Sequence, residues 1–148
     1  MSQAAIVKPA KLALSRARPQ PTPETAHYWE GARLGELRLQ KCSACAQVYF
    51  PPRPFCPACA CREVKVFAAS GQGRLFSYVI SHRLAPGFTE PYAIAVVELD
   101  EGPRLMTNIV ECAQTPEALQ LDMRLEVIFQ KLDDDISLPV FRPAKGMQ

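Results

Sequence analysis

Cys42-Ser43-Ala44-Cys45 and Cys56-Pro57-Ala58-Cys59 are two Cys-x-x-Cys pairs separated by ten residues. Each pair can place two thiolates on one ion, and two pairs complete the tetrahedral sulfur shell that zinc prefers and that iron also accepts in rubredoxin fashion. Zinc is the expected occupant. With all four positions filled by protein no place is left for an activated water, so the site reads as structural rather than hydrolytic. Cys61, two residues after Cys59, could replace it as a ligand. Disulfide pairing is the alternative to metal binding, but nothing in the sequence resembles a secretory signal, so the thiols are expected to be reduced in a cytoplasmic protein. In zinc knuckles the residue after the second cysteine turns through positive φ and is usually glycine; here Ala46 and Ala60 hold both places, which implies backbone strain or a different knuckle geometry.

Other chemistry-bearing residues form no catalytic set. The two histidines, His27 and His82, stand in no recognisable motif. His82 beside Arg83 could bind an anion, although a histidine at a strand end is more often simply exposed. Asp133-Asp134-Asp135 lacks the spaced ligands and glycine of a calcium loop and reads as an acidic turn. Gly71-Gln72-Gly73 has no following lysine or helix to make a phosphate loop, and reads as a flexible join. Cys112, with no cysteine neighbour, reads as a small buried filler.

The elements that must position the cysteines are short. Thr22-Pro23-Glu24 offers a capping hydroxyl, a first-turn proline and an acid, so a helix is expected to run to Leu34 before Gly35, with Trp29 as its anchor against the rest of the protein or against another subunit. Leu37 to Leu39 and Val64 to Phe67 bracket the cysteine pairs as ribbon strands. From Gly73 onward come Arg74 to Ser81, Tyr92 to Leu99, Arg104 to Val110, Leu125 to Lys131 and Leu138 to Phe141, with a turn at Asp100-Glu101-Gly102-Pro103. Thr115-Pro116-Glu117 repeats the helix-start signal between the third and fourth of these strands. The expected fold is mainly β with short helices: a basic tail (1–21), an N-terminal helix (22–35), a zinc ribbon (36–70), a five-stranded OB-fold barrel (71–143) and a C-terminal tail (144–148).

Composition narrows the function. The chain has 148 residues, 48% hydrophobic and 22% charged, with fourteen prolines against seven glycines. That is enough for one core or two small lobes, with extended arms around it. A net charge of +2 is far from the basic stripe of a dedicated nucleic-acid binder. No apolar run reaches the roughly 20 residues needed to span a bilayer. A ribbon lobe of roughly 30 residues cannot fold on apolar burial alone, whereas structural zinc can contribute on the order of 10 kcal/mol.

The helix with Tyr28-Trp29-Glu30-Gly31, the knuckles bracketing Phe50-Pro51-Pro52-Arg53, the turn Val97-Glu98-Leu99-Asp100-Glu101-Gly102 and the terminal Val140-Phe141-Arg142-Pro143 resemble the family catalogued as domain of unknown function 35, over about Thr22 to Pro143. The family departs from this sequence mainly at Ala46 and Ala60. The resemblance implies a rubredoxin-like zinc ribbon joined to an OB-fold, acting as a non-catalytic partner of a thiolase, a thiolase-like aldolase or an acyl-CoA condensing enzyme. The catalytic cysteine and histidines would then belong to the partner, and the substrate would be an acyl-CoA, with aromatic or steroid degradation the expected setting. If this chain helps to hold CoA, the phosphates would seek Arg53, Arg83, Lys131 or Arg142, and Phe55 or Phe88 could stack on adenine. The proline-rich loop Val48 to Phe55 is an equally good docking surface. Two rival readings remain: a free-standing acyl-CoA-binding protein, and a single-stranded nucleic-acid module built from the same two folds.

Overall fold

The computed structural model describes residues 16–146. Most of the basic tail assigned to residues 1–21 lies outside the described residues. The helix α1 (Ala26–Leu34) begins later than the Thr22-Pro23-Glu24 signal implies. The reason is local. Thr22 and Thr25 close a turn of their own, the Thr25 N–H donating to the Thr22 carbonyl at 3.0 Å and the Thr22 N–H to the Thr25 hydroxyl at 2.9 Å. The end falls where expected. Gly35 takes φ 81°, its N–H reaching Ala32 O while the Glu36 N–H reaches Gly31 O, so two carbonyls that the helix would orphan are satisfied. Tyr28, rather than Trp29, is the anchor: Tyr28 is buried, and Trp29 packs half-buried with its ring edge-on to Tyr28 at 5.1 Å.

Three short strands, β1 (Arg38–Cys42), β2 (Val48–Tyr49) and β3 (Val64–Ala68), form an antiparallel ribbon in the order β2-β1-β3. The second sheet contains β4 (Gln72–Ser81), β5 (Tyr92–Leu99), β6 (Arg104–Thr107), β7 (Arg124–Lys131) and β8 (Ser137–Pro143), antiparallel in the order β6-β5-β4-β7-β8. Alternation selects its inner face: Ala93, Ala95, Val97 and Leu99 of β5 are buried, and the residues between them are not. A register shift between Leu75 and Ser77 bends β4. The curled sheet then brings its edges together at a single parallel bridge, Ile109 to Phe141, where the Phe141 N–H donates to Asn108 O and the Val110 N–H to Phe141 O.

Two expectations are corrected here. The Thr115 segment makes one turn, not a helix: the N–H groups of Ala118 and Leu119 both donate to Thr115 O, which drops Leu119 into the core. Asp122 then takes φ 68° so that its N–H can reach Leu75 O, and the chain has no room for another turn. Gly71-Gln72-Gly73 leads directly into β4, the Gly71 carbonyl accepting the Val127 N–H and Gln72 and Gly73 already paired in the sheet. Gly73 pairs with Leu99 on one side and Leu125 on the other, and a Cβ there would lie 2.6 Å from the Glu98 carbonyl oxygen. Immediately before it, Ala69 donates to Leu37 O. The core is shared throughout: Tyr28 of α1, with Leu37 and Leu39 of the ribbon, joins Leu75, Val97, Leu125 and Phe141 of the barrel in one buried cluster.

Candidate metal centre and neighbouring surfaces

Both cysteine pairs sit in matching turns. The first leaves the end of β1, the Cys42 N–H donating to Gln47 O and the Ala46 N–H to Cys42 O; the second repeats this with Cys56 to Cys61 O and Ala60 to Cys56 O. Closing each turn requires positive φ at the residue after the second cysteine, and Ala46 and Ala60 adopt 64° and 62°. The strain expected from two alanines in glycine positions is therefore present. The Ala44 and Ala58 N–H groups aim at the sulfurs of Cys42 and Cys56, each at 3.4 Å.

The four Sγ atoms lie within 4.8 Å of one another, with 3.6 Å between Cys42 and Cys59 and between Cys45 and Cys56. A tetrahedral ion with zinc–sulfur bonds of about 2.3 Å needs sulfurs about 3.8 Å apart, so the donor set fits one zinc ion. Cys61 stands outside this cluster, its sulfur accepting the Glu63 N–H at 3.4 Å. Proton chemistry points the same way. The Cys45 N–H, with help from Ala44, draws the Cys42 thiol down to about 6. At Cys59 the Cys61 N–H also pulls downward, but the neighbouring sulfurs of Cys42, Cys45 and Cys56 prevail and push it up to about 12. Four sulfurs this close become thiolates together only around a cation.

The ribbon loop is held from within. The buried Gln40 Oε1 accepts the Arg53 N–H at 2.7 Å, and the Tyr49 hydroxyl donates to Arg53 O at 3.0 Å. Pro51, Arg53, Pro54 and Phe55 are thereby presented to solvent on a fixed backbone. Beside this loop, a cleft of about 450 Å³ separates Gln47 to Phe50 from the Glu101-Gly102-Pro103 turn. Glu101 Oε1 accepts the Ser70 N–H, while its buried Oε2 has no partner.

The four candidate phosphate-binding cations stand on four separate segments. Arg53 and Arg83 are exposed. Lys131 pairs with Asp134 at 2.9 Å, and Arg142 is held by Glu126 at 2.9 Å and Glu111 at 3.0 Å. Phe55 is exposed, but Phe88 is stacked on Tyr92 and covered by the Arg16 guanidinium. His82 is exposed, as a strand-end histidine usually is. The Asp133 Oδ1 caps its own turn by accepting the N–H groups of Asp135 and Ile136. Cys112 packs against the core, and burial pushes its thiol pKa up. Sequence reasoning gave no separate role to Glu101 or Arg16, because only the fold brings their partners near. Among the described residues, no helix is long and apolar enough to cross a membrane.

Comparison with known proteins agrees with this anatomy. Residues 29–64 match the family described as the rubredoxin-like zinc ribbon domain of ChsH2, and residues 67–130 match the C-terminal OB-fold domain of ChsH2. A probable enoyl-CoA hydratase alpha subunit of Thermomonospora curvata is 38% identical over 130 residues, which cover 87% of this chain and 40% of that protein. The chain thus spans well under half of that relative. A DUF35 domain-containing scaffold protein of Methanothermobacter thermautotrophicus is 34% identical across 76% of this chain and 86% of its own length. A benzoylsuccinyl-CoA thiolase subunit, BbsA, of Thauera aromatica is 29% identical over 77 residues, 52% of this chain and 54% of that one. Among solved structures, a chain of the Ltp2-ChsH2(DUF35) aldolase superposes with a TM-score of 0.77 at 37% identity, covering 85% of this chain and 98% of that one. In sequence, metal-binding geometry and barrel topology alike, this chain belongs to the DUF35 family, with a ChsH2-type zinc ribbon and OB-fold.

Proposed function

We propose that this chain is a non-catalytic accessory subunit of a thiolase-type enzyme complex that acts on acyl-CoA thioesters in the cytosol, in the degradation of an aromatic or steroid acid. The observation that carries this reading is the likeness over 98% of a chain taken from an aldolase assembly, at 37% identity. The name of the Thauera relative, a thiolase subunit, supports the choice of partner. The chemistry of the chain is consistent with it. Among the described residues, neither His27 nor His82 is hydrogen-bonded to a serine or cysteine, so no nucleophile–base pair is formed.

In this reading Cys42, Cys45, Cys56 and Cys59 hold structural zinc. The metal fixes both knuckles, and these in turn fix the loop Val48 to Phe55 as a rigid docking surface for the partner. Of the four candidates, Arg53 and Arg83 form no ion pair among the described residues and are open to CoA phosphates; Lys131 and Arg142 would first have to leave their carboxylates.

The test is co-purification of the tagged chain from its native host at low salt, with mass spectrometry of what stays bound and metal analysis of the product. A stoichiometric thiolase-fold protein and one colourless zinc per chain are expected. CoA esters or nucleic acid retained in place of a protein partner would overturn the subunit reading, and a coloured ferric thiolate would overturn zinc.

A further inference from the structure

We propose that the barrel carries a guanidinium-binding site, formed by Phe88, Tyr92, Asn108 and Gln130, and that Arg16 of the chain's own N-terminal arm is its ligand. The Arg16 guanidinium donates to Asn108 Oδ1 at 2.6 Å and to Gln130 Oε1 at 3.1 Å. Its carbon lies 4.6 Å from the centroid of the Phe88 ring, which is itself stacked on Tyr92 at 3.6 Å and 12°. The polarity of the site is set before any ligand arrives. Asn108 spends its amide NH₂ on the Ala93 carbonyl at 2.7 Å, so only its oxygen faces the guanidinium and only a donor can satisfy it.

The set discriminates between cations. Two amide oxygens beside an aromatic face suit a planar, weakly hydrated fork that can stack and donate from different nitrogens at once. A lysine ammonium is a strongly hydrated point charge without a planar fork, and gives up more hydration to make the same contacts. Burial also draws the Arg16 pKa below its ordinary value, desolvation being the main cause, so water lost from the guanidinium has to be replaced by these contacts.

The surrounding backbone is shaped for an extended segment. Two residues further on, on the same side of the arm, Arg18 donates to Asp133 at 2.7 Å. Gly87 sits at φ 91°, and a Cβ there would come within 2.9 Å of the Arg16 main-chain nitrogen, so the β4–β5 loop has glycine where the arm passes. The arm therefore bridges the β4–β5 loop and the β7–β8 turn. In five-stranded OB barrels these are the two loops that flank the ligand groove. Arg16 and Arg18 lie across both loops in cis, and any ligand that used Phe88, Asn108 and Gln130 has to displace Arg16.

The experiment uses the full-length chain with Arg16 intact, as Arg16→Ala and as Arg16→Lys, and follows the side-chain amide resonances of Asn108 and Gln130 by NMR. Added N-ethylguanidinium is expected to shift these resonances saturably in Arg16→Ala, and to leave the unmodified chain unchanged. Ethylammonium at the same concentration should shift neither. Arg16→Lys should remain responsive to N-ethylguanidinium, because lysine does not fill the site, and unchanged resonances elsewhere would show that both variants are folded. In Arg16→Ala, amide exchange across residues 85–92 should quicken by roughly tenfold, the equivalent of one cation–π contact with its hydrogen bonds. Equal shifts with ethylammonium, equal shifts in the unmodified chain, or no response in Arg16→Ala would overturn the proposal.

Discussion

At the scale of single residues, backbone conformation explains more than side-chain identity does. Ala46 and Ala60 occupy left-handed positions that favour glycine, because each knuckle must turn its amides back toward sulfur. Ala46→Gly and Ala60→Gly should each stabilise the zinc-loaded chain by about 0.5–1 kcal/mol, the relief of left-handed strain less the extra chain entropy of glycine. Denaturant unfolding of the single and double variants checks this, and a loss of stability would mean that the alanine methyl groups pack against something. Charge is equally local. Hydrogen bonds from Arg104 and then Arg74 hold the Glu98 carboxyl below its usual range, and Arg124 does the same for Asp100. A carboxylate whose pKa is lowered on folding stabilises the fold above its unfolded pKa of about 4, and that contribution is lost as pH falls through the folded value. Stability should therefore decline on acidification below about pH 4, and Glu98→Gln should flatten that decline relative to the unmodified chain, the metal site being the same in both. The positive φ at the two alanines was legible from spacing alone, whereas the Arg74–Glu98–Arg104 cluster was not, since it needs β4, β5 and β6 in register.

At the scale of elements, strands were easier to read than turns. Tyr92 to Leu99 matches β5 because one face is buried and the alternation is uninterrupted. The helix-start signals at Thr22 and Thr115 were ambiguous, because a capping hydroxyl followed by proline serves an isolated turn as well as a helix. Tertiary hydrogen bonds decided both cases: the Thr22–Thr25 pair delays α1, and the Asp122 to Leu75 bond ends the Thr115 turn. Gly73 makes this testable. A flexible join would tolerate alanine, but a strand interior that admits no Cβ would not. Gly73→Ala should cost about 1–3 kcal/mol, as overpacking does, measured as a fall in the unfolding midpoint with the metal retained. An unchanged midpoint would return the segment to a loosely packed linker.

At the scale of the whole molecule, the ribbon and barrel share one core, with Leu37 and Leu39 buried beside Leu75 and Phe141. Metal removal should therefore weaken more than the knuckles. Chelation is expected to lower the thermal midpoint of the entire chain in one cooperative transition, followed by calorimetry with and without zinc restored. Two separated transitions would mean that the barrel stands without the ribbon. The fold class and the grouping of Cys42, Cys45, Cys56 and Cys59 into two matching turns were legible in the sequence itself, because strand alternation and cysteine spacing are properties of neighbouring residues. Which surfaces are open was decided only by the tertiary structure. Arg16 meets Asn108 and Gln130 across 92 and 114 residues of chain, and Phe88, in sequence an available aromatic, is covered as a result. Such contacts depend on how the curled sheet brings its loops together, and no local pattern records that closure.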